Sequence, residues 1–373
     1  MKDNLKLFEN YCDWLYETRL RQPFPQVSKE ELQKDGIIVY GLSGWGKAAI
    51  AELAQQGIKP AWAVDRSTEF HENGYLGIDV RPLSSLLDAG NRFVMLTSTH
   101  IRDMADTCMI YGAEKWILPA AIRDWCAITG EFGICNDNAN RIPELKEAFQ
   151  LLADEKSREV FRAFIRWHYT YDNNFAYLSD PVFYFPDDLR EMIDYRFFVD
   201  AGAYNGDTLQ DWLRICAIPQ GAKYYAFEPN PESYQELGAT VAGLPDAVKS
   251  TITVINSALG SVEGSLRMNS AGGMNRYSET GIDIPCQRID DLFAELCPTI
   301  IKADIEGAEM DMLQMAEKTI RRCRPTLAIS AYHKFSDLWA IPLWIHNLGC
   351  GYKIYMRHHP KVFTDSVYYA ICT

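Results

Sequence analysis

The sequence predicts an α/β chain made of two halves, each with its own parallel sheet. Three observations carry this. Two glycine-rich turns each lie between a short apolar run and a helix-like stretch. The strand after each turn ends in an acid. The chain closes with two alternating strands, Tyr352–Arg357 and Ser366–Cys372. With 373 residues, of which 47% are hydrophobic and 23% charged, the chain is long enough for two or more cores.

The first turn follows the run Ile37–Tyr40 and reads Gly41-Leu42-Ser43-Gly44-Trp45-Gly46-Lys47. Residues 48–57 then read as a helix ending at Gly57. The strand Ala61–Asp65 ends in an acid 24 residues after Gly41. This is a Rossmann-like βαβ pattern, with Gly41, Ser43, Gly44 and Gly46 for phosphate approach and Asp65 for ribose hydroxyls. The same turn nearly matches a P-loop, but position 48 is Ala, so the hydroxyl that would ligate Mg²⁺ is missing. An interaction module without ligand is a further reading. Strands at 93–97 and 116–119 complete a domain over residues 1–120. Residues 121–195 read as a helical connector, with amphipathic helices over 143–169 and an aromatic loop over 177–185 that covers a neighbouring surface.

The second turn carries the clearer chemistry. Phe197–Asp200 is a strand, and Ala201-Gly202-Ala203-Tyr204-Asn205-Gly206-Asp207-Thr208 leads into a helix. A buried strand ending in D-x-G-x-x-x-G is the cofactor turn of Rossmann-like enzymes that bind S-adenosylmethionine. Glu228 ends the next strand, 28 residues after Asp200, where a carboxylate can accept both ribose hydroxyls. Strands at 252–256, 300–304 and 326–330 follow, each ending in polar or glycine residues.

The excess of 50 Asp and Glu over 37 Lys and Arg gives a net charge of −13, which disfavours a nucleic-acid partner. Charges at Lys2, Asp3, Lys6 and Glu9 interrupt any signal-peptide core. No apolar run reaches the roughly eighteen residues of a membrane span, so a cytoplasmic protein is expected. The ten cysteines contain no CxxC pair and are read as reduced.

The motifs VDAGAYNGDT (199–208), FEPNP (227–231), NSALG (256–260), IKADIEGAEMDML (301–313) and RPTLAISAYHK (324–334) occur in order in the C-terminal half, between residues 199 and 334. Together they resemble the FkbM-type S-adenosylmethionine-dependent methyltransferases. The resemblance implies residues 196–373 as a class I methyltransferase-type seven-stranded sheet with an antiparallel last strand. It also implies O-methylation of a hydroxyl on a sugar-containing or related small molecule, in glycan or cell-surface polysaccharide biosynthesis. The N-terminal half is similar, more loosely, to domains attached to sugar-modifying transferases, where a nucleotide or nucleotide-sugar would meet the first turn. A homodimer is compatible with this reading.

Within that resemblance, Asp200, Gly202 and Gly206 hold the methionine end of the cofactor and Glu228 the ribose. Ser257 and Ala258 meet the adenine, with Ala203, Tyr204, Thr208 and Asn230 beside them. Asp304 faces the transferred methyl, Glu306 stands close by, and His333 is the imidazole expected to remove the acceptor proton. No metal is expected. Glu309 reads as an acid stabilising a helix N-terminus, His358 and His359 as surface residues, and Trp339 and Trp344 as core. A non-catalytic scaffold with a retained fold is the competing reading; a dehydrogenase lacks a proton-relay set.

Overall fold

The computed structural model describes residues 27–97, 101–117, 141–170, 179–216, 221–260, 264–269, 276–277, 282–359 and 366–372. The ends of the 116–119 strand and the 177–185 loop, at 118–119 and 177–178, lie outside them. The chain divides into two compact units. The first comprises 1–143, 165–173 and 271–274; the second comprises 144–164, 174–270 and 275–373. Most of the described segment read as a connector therefore groups with the second unit.

In the first unit, α1 (Lys29–Asp35) starts at Ser28, whose side chain and Glu31 form a reciprocal capping box. Five parallel strands follow: β1 (Ile37–Tyr40), β2 (Trp62–Val64), β3 (Val80–Arg81), β4 (Phe93–Leu96) and β5 (Trp116–Ile117), in the order β3-β2-β1-β4-β5. Helix α2 (Gly44–Gln55) leaves the glycine turn after β1, and α3 (Ile101–Ile110) follows β4. A side chain at Gly46 would lie 1.7 Å from the Gly41 carbonyl oxygen, so this glycine is required by the turn's own packing.

The second unit opens with α4 (Ile142–Leu151), which begins just before the division, and α5 (Glu155–Thr170), which the division crosses at Phe164. The parallel strands β6 (Phe197–Ala201), β7 (Lys223–Phe227) and β8 (Ile252–Ile255) alternate with α6 (Asp207–Ile215), α7 (Pro231–Ala242) and the short α8 (Asp246–Lys249). β6 is buried along its whole length, as a central strand covered on both faces must be. Asn230 caps α7 through the Glu232 and Ser233 amides, with Pro231 at the first helical position. A four-stranded insert that the sequence reading did not anticipate comes next: β9 (Ala258–Leu259), β10 (Gly264–Asn269), β11 (Arg276–Tyr277) and β12 (Ile282–Gln287).

The chain returns through α9 (Ile289–Leu292) to β13 (Ile300–Ala303), α10 (Glu309–Gln314), α11 (Glu317–Cys323), β14 (Thr326–Ser330) and α12 (Asp337–Asn347). It ends with β15 (Lys353–His358) and β16 (Ser366–Ile371). The main sheet has the order β15-β16-β14-β13-β6-β7-β8, and β16 alone runs opposite to the other strands. This is the seven-stranded arrangement the sequence predicts. The strand order reverses between β6 and β13, which opens a crevice at their carboxyl ends. Beneath it, Phe198 stacks on Tyr224 in the core, and Trp212 packs tilted against Tyr224.

Two expectations are corrected here. Cys297 and Cys323 form a disulfide across 26 residues, a pairing that the cysteine spacing does not signal. His358 and His359 are buried, not on the surface. His358 Nδ1 lies 3.1 Å from the Ser366 hydroxyl and His359 Nε2 lies 2.8 Å from the Tyr369 hydroxyl. The hydroxyls of Ser366 and Tyr369 on β16 give each ring a partner, which lets both be buried.

Candidate active site

The crevice between β6 and β13 gathers most of the acids singled out from the sequence. Asp200 and Lys302 are register partners on the two strands, so both side chains project from the same face. The Lys302 ammonium lies 2.8 Å from Asp200 Oδ1, and the Tyr224 hydroxyl donates to Asp200 Oδ2 at 2.6 Å. Both oxygens of Asp200 thus face protein donors. Lys302 also donates to the carbonyl of Gly202 at 2.6 Å, so the pair acts on the cofactor turn by fixing its backbone. Burial disfavours the Lys302 charge, but Asp200 and Asp304 outweigh it and raise the ammonium above its ordinary value.

Gly202 has φ +78°, and a side chain there would lie 1.9 Å from the Asp304 carbonyl oxygen. Only glycine lets the turn after β6 touch the end of β13. Gly206, at φ +89°, starts α6, whose face Thr208, Leu209 and Trp212 is buried. Tyr204 is a non-glycine residue at φ +46°, and its side chain is 54% exposed. Three of the five described non-glycine residues with positive φ, Tyr184, Tyr204 and Glu306, stand around this crevice. Strained backbone of this kind collects where function holds it.

Glu228 ends β7, nearly buried. It accepts the Tyr204 amide at Oε2 (2.8 Å) and the Asn230 amide at Oε1 (2.7 Å). Burial raises its carboxyl above the ordinary value, partly offset by those two amides. Each oxygen retains acceptor capacity for a hydroxyl, so the residue fits a ribose edge. Ala203 and Thr208 are buried beside the turn, as Asn230 is at the α7 cap. Ser257 is buried, with its hydroxyl within hydrogen-bond reach of the Ala258 and Pro285 carbonyls.

Asp304 follows β13. Tyr184 donates to its Oδ2 at 2.7 Å and Tyr332 to its Oδ1 at 2.8 Å. Burial pushes the carboxyl up, but His333, Lys302 and the two phenols outweigh it and hold it below the ordinary carboxylate range. His333 Nε2 lies 3.4 Å from Asp304 Oδ1 and 3.7 Å from Glu306 Oε2; its Nδ1 lies 3.0 Å from Glu309 Oε1. Glu309 opens α10 as expected of an acid at a helix start, and it is also fully buried against His333 and the Ile305 amide. Asp304, Glu309 and His333 lie within 4.8 Å of one another. Asp304 meets Tyr184 and Tyr332, and Glu309 Oε1 meets the Ile305 amide and the imidazole, while Glu309 Oε2 is buried without a hydrogen-bond partner among the described residues.

Lys302, Tyr184, Tyr332 and Glu309 are contributors that the sequence reading missed. A signal for Lys302 was present: a cation within the apolar run Ile300–Ala303 needs a buried partner, and Asp200 in β6 is the matching anion. In the first unit, Asp65 accepts the Leu42 and Ser67 amides, so its carboxylate braces the Gly41 turn. Trp339 and Trp344 are half-buried, and Lys334 is exposed.

Residues 200–354 match the family described as the methyltransferase FkbM domain. The methyltransferase FkbM from Methylobacillus flagellatus KT has a similar structure, with a TM-score of 0.72, 23% identity and 98% of each chain covered. Fibrillarin from Aeropyrum pernix has TM-score 0.31, 14% identity, and coverage of 48% of this chain and 68% of its own. A putative O-methyltransferase from Klebsiella pneumoniae has TM-score 0.34, 10% identity, and coverage of 59% and 90%. These two are too distant to bear on the fold. No curated protein matches the chain. The matched span starts at Asp200 and contains Glu228, Asp304 and His333, the residues assembled at the crevice. The chain therefore carries a match to the methyltransferase FkbM domain over residues 200–354, and the protein is an S-adenosylmethionine-dependent methyltransferase.

Proposed function

We propose that the protein methylates a hydroxyl of a sugar-containing small molecule, in cytoplasmic glycan or polysaccharide biosynthesis. The observation that carries this reading is the convergence of Asp304, Glu306 and His333 beside the cofactor turn. An alcohol needs a proton acceptor there, and an imidazole between carboxylates provides one. When bound, the cofactor supplies an activated methyl group on a sulfonium. The chain's own residues do the rest. Glu228 and Asn230 hold the ribose, the backbone at 202–206 faces the methionine end, and residues 257–258 meet the adenine. Asp304 holds negative charge at the transfer edge, and His333 Nε2 takes the hydroxyl proton.

A nucleotide or nucleotide-sugar at the Gly41–Gly46 turn belongs to the same reading. It is supported by the amino end of α2, where Ser43 makes no side-chain cap. The three-part organisation, 1–120, 121–195 and 196–373, and a homodimer complete it.

The test is transfer of labelled methyl from S-adenosylmethionine to a panel of sugars and nucleotide-sugars by the full chain. Label that survives alkali marks an ether and supports the reading. Label released by alkali marks an ester, and label only on amines marks N-methylation; either result overturns it.

A further inference from the structure

Every element packed around His333 brings charge to it. Asp304 and Glu306 approach from the end of β13, and Glu309 from α10. Asp337 and Lys334 follow on the segment leading into α12, and the Tyr332 ring lies tilted against the imidazole with centroids 4.1 Å apart. Lys302 and Tyr184 reach the cluster through Asp304. Burial alone would strip the ring of its proton. Glu309, Asp304 and Glu306 prevail, and lift His333 to about 10. Burial and Glu309 push Asp337 up to about 7, so it titrates near neutrality, and its ionised form adds to the negative charge around the ring.

The resting ring is thus an imidazolium. It carries the proton it would need to accept, so a base at this position requires a means of unloading. The cofactor brings one: its sulfonium is a fixed positive charge, and its demethylated product is a neutral thioether of otherwise equal charge. A unit charge about 5 Å away shifts a protonation equilibrium by about a hundredfold at the effective permittivity of a partly buried site.

We infer that His333 gives up a proton to solvent when the sulfonium cofactor binds, and that Glu309 is the positioning residue that keeps its Nε2 turned toward Asp304. The inference rests on the reading that the methyl-bearing end of the cofactor lies beside Asp304. Glu309 Oε1 stands 3.0 Å from Nδ1 and is itself fixed by the Ile305 amide, so Nδ1 keeps its hydrogen and Nε2 loses one. The Nε2–H bond breaks, its electron pair stays on nitrogen, and the proton passes to buffer. That lone pair then accepts the hydroxyl hydrogen of the methyl acceptor as the O–C bond forms. The S–C bond breaks with its electrons retained by sulfur. The base is therefore created only when there is a methyl group to transfer.

Calorimetric titration of the full chain in two buffers of different ionisation enthalpy, near about pH 8, counts the protons released on binding. The expected result is roughly half to one proton per S-adenosylmethionine and close to none for S-adenosylhomocysteine. His333→Asn should bind both ligands and release no excess proton. Glu309→Gln should bind and release far less than wild type, an effect that a purely structural contact would not have. Equal release with both ligands, or undiminished release from His333→Asn, overturns the inference and leaves the site intact. Failure of both ligands to bind overturns the site reading and the inference with it. The comparison of the two ligands on the unmodified protein stands whether or not the variants fold.

Discussion

Lys302 Nζ lies 2.8 Å from Asp200 Oδ1 across adjacent parallel strands, with the two side chains 2% and 0% exposed. Removing one partner leaves the other charge buried without compensation. Lys302→Met should cost about 3–5 kcal/mol in denaturant unfolding, and Asp200→Asn in the same background should recover part of it. Cofactor affinity should fall in Lys302→Met even where the fold survives, because the Gly202 carbonyl loses its donor.

Gly202→Ala forces a methyl group against the Asp304 carbonyl from a left-handed backbone position. The turn or the β13 end must move. A loss of about 3 kcal/mol or more and the disappearance of S-adenosylmethionine binding are expected, read by thermal unfolding and by calorimetry. Retained affinity in a folded variant would refute the close approach.

Tyr184→Phe removes one of two phenolic donors to Asp304 and leaves the packing of the ring. Stability should fall by about 1–2 kcal/mol, and kcat should drop about tenfold with KM less affected. Tyr332→Phe should do the same, and the double variant should deviate from additivity because both act on one carboxylate.

Burial depresses His358 to about 4, so the folded protein holds this ring neutral while the unfolded chain protonates it near 6.5. Its contribution is present above the unfolded value and is lost as the pH falls from about 6.5 toward 4. The loss approaches about 3 kcal/mol for this residue. Urea midpoints measured across that window should fall with pH, and His358→Gln should flatten the slope. An unchanged slope would place the ring outside the core.

The sheet was legible because its strands are apolar runs bounded by glycine and acid, and period alone assigns them. The last pair, β15 and β16, was found as strands, although it is buried at almost every position and does not alternate in exposure. The acids at the strand ends were legible for the same reason. Harder to read was what each carboxylate touches. Asp200 was expected to face the cofactor, and its strand position gives no hint that Lys302 sits opposite until register is known. Glu309 shows the converse. An acid at a helix start usually earns its place by the dipole, and only the fold reveals His333 beside it. Tyr184 lies 120 residues before Asp304, beyond the reach of any local pattern.

Arg357 on β15 has a fully buried side chain that binds Asp154, at the turn between α4 and α5, and Asp188, in the segment that carries Tyr184. The partners lie 203 and 169 residues apart in sequence. During synthesis, the strap bearing Tyr184 therefore lacks its Arg357 ion pairs until β15 has left the ribosome. The glycine turn and the acid edge can form earlier, but their phenolic cover waits for nearly the whole domain. Assembly of the transfer edge becomes a late folding event, and a chain released short of β15 would carry the cofactor motifs without the clasp over Asp304.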